Sequence, residues 1–186
     1  MEKTRKSSQW VVLTALNAAL YATFIMFTAY ITTPFFIQFR PAVVVPAIFA
    51  AVYGPWVGGV GAALGTFIAS IIRYGTPLLT IFSGTPGNFF GFFIVGYFTQ
   101  KYKKEGRWLI GYIIGSIIGI LVGFAIIAIG LIFLATALGF TQLSSWTNPY
   151  FVASSMTFGI ISELPFMLIL GPPVIQALEK FYRGNV

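Results

Sequence analysis

Glu163 is the residue with the clearest chemical potential. It stands in Ser162-Glu163-Leu164-Pro165, inside an otherwise uncharged run from about Tyr150 to Leu170. A charge at the centre of a bilayer costs at least about 2.5–3.5 kcal/mol on insertion scales, so such residues face a bundle interior or a cavity. Two roles fit it: hydrogen-bond acceptor for a ligand, or structural carboxyl, protonated or paired with Arg40 or Arg73. Those two arginines sit at helix ends predicted to face outward. They can snorkel to headgroups, or grip an anionic or carbonyl-bearing ligand. Asn88 follows Gly84-Thr85-Pro86-Gly87 and can cap a helix or point inward as donor and acceptor. Tyr74, Trp146 and Tyr150, with Phe35, Phe36 and Phe39, stand where they can stack on a flat ligand or form an interfacial belt.

Other chemistries are excluded by residue type. The chain has no Cys and no His, which removes thiolate nucleophiles, Ser-His-Asp triads and the common zinc sites. No phosphate-binding P-loop occurs, so a self-contained pump or hydrolase is not expected. No enzyme activity, cofactor or metal is expected either.

The elements that must position these residues are apolar helices. Of 186 residues, 58% are hydrophobic and 8% charged, against about 25% charged in soluble domains. That composition excludes a water-soluble enzyme, a nucleic-acid-binding domain and a disordered chain, and implies an integral membrane protein solvated by lipid. Runs of roughly 20 apolar residues span a bilayer. The sequence predicts an all-α fold of six transmembrane helices in a single domain over residues 1–186, at about 10–32, 41–53, 56–72, 87–100, 108–140 and 150–177. Gly54-Pro55-Trp56 divides the second from the third. Residues 73–86 read as a partly buried loop, and Gly171-Pro172-Pro173 as a kink in the sixth helix. The first apolar run lacks a small-x-small cleavage site, so it is expected to span rather than be removed.

The net charge of +7 then reads as an orientation signal. With both termini cytoplasmic, six crossings place nine of the eleven bases inside and leave Arg40 and Arg73 outside. Small residues four apart let helices pack closely in lipid. Gly111, Gly115, Gly119 and Gly123 form such a stripe and are expected to pack internally. Ala15/Ala19 and Ala18/Ala22 form two overlapping pairs on the first helix, for internal packing or for another membrane protein.

Three segments resemble the substrate-binding S-component of energy-coupling factor (ECF) vitamin transporters. They are Ala15 to Ala22, the stretch from Phe39-Arg40-Pro41 through Tyr53-Gly54-Pro55-Trp56 to Gly59, and Gly84-Thr85-Pro86-Gly87-Asn88-Phe89-Phe90-Gly91. The resemblance implies a binding subunit in the cell (plasma) membrane that captures a vitamin-like molecule at its outer face. It implies docking on a transmembrane T-component driven by two cytoplasmic ATPases, then toppling to release the cargo inside. Ala15, Ala18, Ala19 and Ala22 would then dock, and Arg40, Arg73, Tyr74, Asn88, Trp146, Tyr150 and Glu163 would hold the ligand. The His motif of the metal-carrying branch is absent, so nickel and cobalt are not expected; riboflavin or a queuosine-type precursor suits an aromatic pocket. The alternatives are a structural or assembly subunit without a ligand, and a small channel or secondary transporter.

Overall fold

The computed structural model describes residues 2–28 and 40–184, with side chains at 8–28 and 40–181. Among the described residues every regular element is helical: α1 (Glu2–Thr28), α2 (Val44–Tyr53), α3 (Pro55–Tyr74), α4 (Leu78–Ile81), α5 (Gly84–Lys103), α6 (Trp108–Thr136) and α7 (Pro149–Gly184). Short 3-10 turns at Pro41–Val43 and Thr141–Thr147 precede α2 and α7. Four helical stretches are long and apolar enough to cross a membrane: Ser8–Thr28, Pro55–Tyr74, Trp108–Thr136 and Pro149–Phe181.

The break between α2 and α3 follows from two adjacent residues. Gly54 takes φ 104°, a conformation that side chains rarely adopt, and Pro55 begins α3. Proline suits that first position because the N–H it lacks would have no helical partner there. The Gln100 amide of α5 donates to the Ala51 carbonyl at 2.6 Å, covering one of the last carbonyls of α2. Gly75, at φ 71°, ends α3 in the left-handed conformation. The region read as a loop over 73–86 is more ordered than its composition suggests. It holds the single turn α4, and α5 starts at Gly84, three residues before the expected boundary.

Glycine sets the closest helix contact. A Cβ on Gly91 would lie 3.1 Å from the Gly119 carbonyl oxygen, and one on Gly123 would lie 3.1 Å from that of Gly87. A Cβ on Gly115 would meet Val95 Cα at 3.0 Å. The predicted glycine stripe is therefore internal, with α5 and α6 in backbone contact. In lipid such contact supplies the dispersion energy that hydrophobicity cannot.

Helix α7 runs through Pro165, Pro172 and Pro173 without ending. Each proline removes one donor from the helical ladder. The Tyr112 hydroxyl of α6 donates to the Met167 carbonyl at 3.0 Å and fastens the second half of α7 to the bundle. At the far end, Lys103 of α5 pairs with Glu179 of α7 at 2.8 Å, bringing those two helix ends to one side.

Replacing Gly119 by Leu forces a side chain into the α5 backbone, which costs about 1–3 kcal/mol or more. The expected outcome in detergent is a fall in Tm of about 4–10 °C, read by thermal unfolding. Ile117→Leu, on the exposed side of α6, should leave Tm unchanged.

Candidate functional site

The site is organised around one ion pair. The Arg40 Nε donates to Glu163 Oε1 at 3.1 Å, and a terminal guanidinium nitrogen reaches the same oxygen at 3.1 Å. The two side chains are 12% and 4% exposed. The backbone explains how Arg40 gets inside. The 3-10 turn and α2 contribute 3 and 10 residues, whereas α3 has 20, and both helices share the turn at Gly54. At roughly 1.5 Å per residue, the turn and α2 together stop about 10 Å short of the far end of α3. Arg40 therefore enters below the rim of the bundle, level with the middle of α7.

Two chambers meet at this pair. The outer one, about 100 Å³ in volume, opens between the end of α3, α4, the start of α5 and the second half of α6. Its lining is chemically mixed. Ser70, Thr80 and Ser83 come from the end of α3 and the stretch joining it to α5, Phe124, Ile127 and Leu131 from α6, and Ile25 from α1. Arg73 and Tyr74 also line it, with the Arg73 guanidinium 5.6 Å from the centre of the Tyr74 ring. The inner chamber, about 20 Å³, lies against the α5–α6 glycines and is bounded by Phe92, Met167 and Glu163. Arg40, Phe124 and Ile127 line both, so the guanidinium divides an amphipathic chamber from an apolar one.

A second polar group braces the wall. Asn88 Nδ2 donates to Thr66 Oγ1 at 2.8 Å, the Thr66 hydroxyl donates to the Ala62 carbonyl at 2.9 Å, and the Tyr21 hydroxyl reaches Asn88 Oδ1 at 3.5 Å. This chain links α1, α3 and α5. Because α5 starts at Gly84, Asn88 falls in its second turn and points inward rather than capping the helix.

The structure brings Arg40, Arg73, Tyr74, Asn88 and Glu163 to the two chambers. Trp146 and Tyr150 line neither. The Trp146 indole is fully buried, edge-on to Phe151 at 5.7 Å, because the turn before Pro149 folds it under α7. Tyr150 is 85% exposed on the first turn of that helix. Phe35, Phe36 and Phe39 lie outside the described residues. The alanine pairs of α1 divide between two faces. Ala18 and Ala22 are buried, with Ala18 in the path of any Cβ on Gly65, while Ala15 and Ala19 face outward. Helical periodicity separates them: the two pairs sit three residues apart and point about 60° from each other. Sequence reasoning missed Tyr21, Thr66, Ser70, Thr80 and Ser83. The Ser/Thr content of 73–86 was a visible signal, but nothing in it showed which hydroxyls turn inward.

Comparison with known proteins agrees with this architecture. Residues 5–180 match the family described as ECF-type riboflavin transporter, S component. The searches of curated proteins and of solved structures return no match. The family is a transporter component rather than an enzyme, and with its four apolar helices the chain is a multi-pass membrane protein. A match over nearly the whole length, on a lipid-compatible bundle enclosing one charged centre, identifies the chain as a member of the ECF-type riboflavin transporter S-component family, the substrate-binding subunits of these importers.

Proposed function

We propose that the chain captures riboflavin at the outer face of the cell membrane and hands it to an ECF T-component coupled to two ATPase subunits. The observation that carries this reading is the family match over residues 5–180, joined to a chamber whose lining divides into apolar side chains and hydroxyls above a buried ion pair. Riboflavin has the same division, a flat apolar ring with carbonyl and imide groups at one edge and a polyol chain. Arg40, Arg73, Tyr74, Asn88 and Glu163 are the proposed ligand residues. Arg40 donates to a ring carbonyl, and Glu163 holds the guanidinium in place for it. Among the described residues no charged group lines the inner chamber besides Arg40 and Glu163, which argues against a polar path across the membrane and hence against a channel.

Six crossings with cytoplasmic termini suit this function. The Lys103–Glu179 pair joins the ends of α5 and α7 next to the basic cluster Lys101, Lys103, Lys104 and Arg107. An excess of Lys and Arg of this kind marks the cytoplasmic side. The outward face of α1, carrying Ala15 and Ala19, is the proposed docking surface for the T-component, since small residues let a second helix approach closely. A body with few charges on its sides can then topple within lipid at low cost.

Breaking a buried pair by removing one partner costs about 3–5 kcal/mol, whereas replacing both partners with apolar residues of similar volume is often neutral. Glu163→Ala should therefore lower Tm, and the double substitution Arg40→Met with Glu163→Met should restore it. Riboflavin affinity, read by quenching of flavin fluorescence, should fall at least about tenfold in both, as expected for losing a charge-assisted hydrogen bond. Wild-type affinity in a stable double variant would remove the ion pair from the ligand site.

Ala15→Trp and Ala19→Trp should leave riboflavin affinity intact while abolishing uptake and co-purification with the T-component. Loss of binding in parallel with uptake would show that this face serves the fold.

A further inference from the structure

Three hydroxyls of the outer chamber share a feature that fixes what they can offer a ligand. The Ser70 hydroxyl donates to the Thr76 carbonyl at 3.2 Å, Thr80 to Pro77 at 3.2 Å, and Ser83 to Leu79 at 2.6 Å. A carbonyl oxygen only accepts, so the single proton of each hydroxyl is committed to the backbone. Each oxygen keeps lone pairs and acts toward the chamber as an acceptor. Ser70 and Ser83 are 3% exposed, and the three come from α3, α4 and the turn before α5. Of the other polar residues lining the chamber, Thr66 already accepts from Asn88 and Tyr74 can both donate and accept, whereas the two arginines have the opposite character. Arg40 and Arg73 only donate. Ile25, Phe124, Ile127 and Leu131 offer neither.

Building on the riboflavin reading above, the geometry points to Ser70, Thr80 and Ser83 as the subsite for the ligand's polyol chain, each accepting a hydrogen bond from a ligand hydroxyl. A chain of adjacent hydroxyls supplies several donors at close spacing, which is what three committed acceptors in one chamber require. The ring then lies toward Phe124 and Ile127, which also line the inner chamber and flank Arg40. A flavin with a methyl group in place of the polyol supplies these oxygens with no ligand donor, and such a mismatch lowers affinity. The three hydroxyls are thus a selectivity element for the chain, separate from the groups that hold the ring.

The test compares riboflavin with lumiflavin, the same ring carrying a methyl group in place of the ribityl chain, on the purified full-length protein by fluorescence quenching. The wild type should bind riboflavin at least about 30-fold more tightly, since neutral hydrogen bonds are individually modest. Thr80→Val and Ser70→Ala should each shrink that preference about 3- to 10-fold through riboflavin alone, with lumiflavin affinity unchanged. Thr80→Ser, which keeps the hydroxyl, should retain the full preference. Equal binding of the two flavins by the wild type would overturn the subsite while leaving riboflavin as the cargo. Variants that weaken both flavins together would also overturn it, since that is how a purely structural hydroxyl behaves. Failure of riboflavin itself to bind would overturn the riboflavin reading and the subsite with it. If Ser83→Ala fails to fold, because its hydroxyl holds the Leu79 carbonyl, the wild-type ratio and the Thr80 pair of variants still decide.

Discussion

A guanidinium and a carboxylate held 3.1 Å apart inside an apolar bundle set the terms for the rest of this molecule. Neither charge is stable alone in that environment. Together they must be carried on two elements that bring them to the same depth in the bundle. The short α2 delivers Arg40 below the rim, and α7 carries Glu163 near its middle. Three prolines, Pro165, Pro172 and Pro173, remove helical donors from α7 on the C-terminal side of that level, while the Tyr112 bond to Met167 holds it against α6. The pair also marks the boundary between the two chambers, so one interaction both satisfies an electrostatic constraint and partitions the interior.

The remaining architecture divides between rigid and adaptable parts. In the α5–α6 contact glycines let backbone approach backbone, and a Cβ at Gly91, Gly119 or Gly123 would meet a facing carbonyl, so few substitutions are compatible with it. Around it, Asn88, Thr66 and Tyr21 tie three helices together through polar groups that bond to one another rather than to water. The outer chamber lies where this packing ends, at the single turn α4 and the left-handed Gly75. Serine and threonine bond locally to carbonyls of these turns, Ser70 to Thr76, Thr80 to Pro77 and Ser83 to Leu79, and leave their lone pairs to the cavity.

The same division runs across α1. Its inward face carries Asn17, Ala18, Tyr21 and Ala22, with the Asn17 amide donating to the Val57 carbonyl at 2.9 Å. Its outward face carries Ala15 and Ala19 among Val11, Val12, Leu16 and Phe24, all exposed in the isolated chain. One helix can therefore serve the bundle with one side and leave the other smooth for lipid or a partner. Nothing polar on the outward face between Val11 and Leu20 opposes movement within the membrane.

Composition and spacing alone determined that the chain lives in lipid, that it is helical, where Gly54-Pro55 breaks it, and that the glycine stripe packs inward. Each of these follows from local or periodic constraints: apolar length against bilayer thickness, proline's missing donor, and a four-residue repeat on one helix face. Glu163 was equally legible, because a lone acid in an apolar run must find a partner. Which partner it finds, Arg40 rather than Arg73, depends on the relative lengths of α2 and α3, and so on tertiary structure. The same holds for the inward turn of Ser70, Thr80 and Ser83, for the burial of Trp146, and for the separation of Ala18 and Ala22 from Ala15 and Ala19. A sequence records which residues can be buried, but the register between helices decides which of them meet.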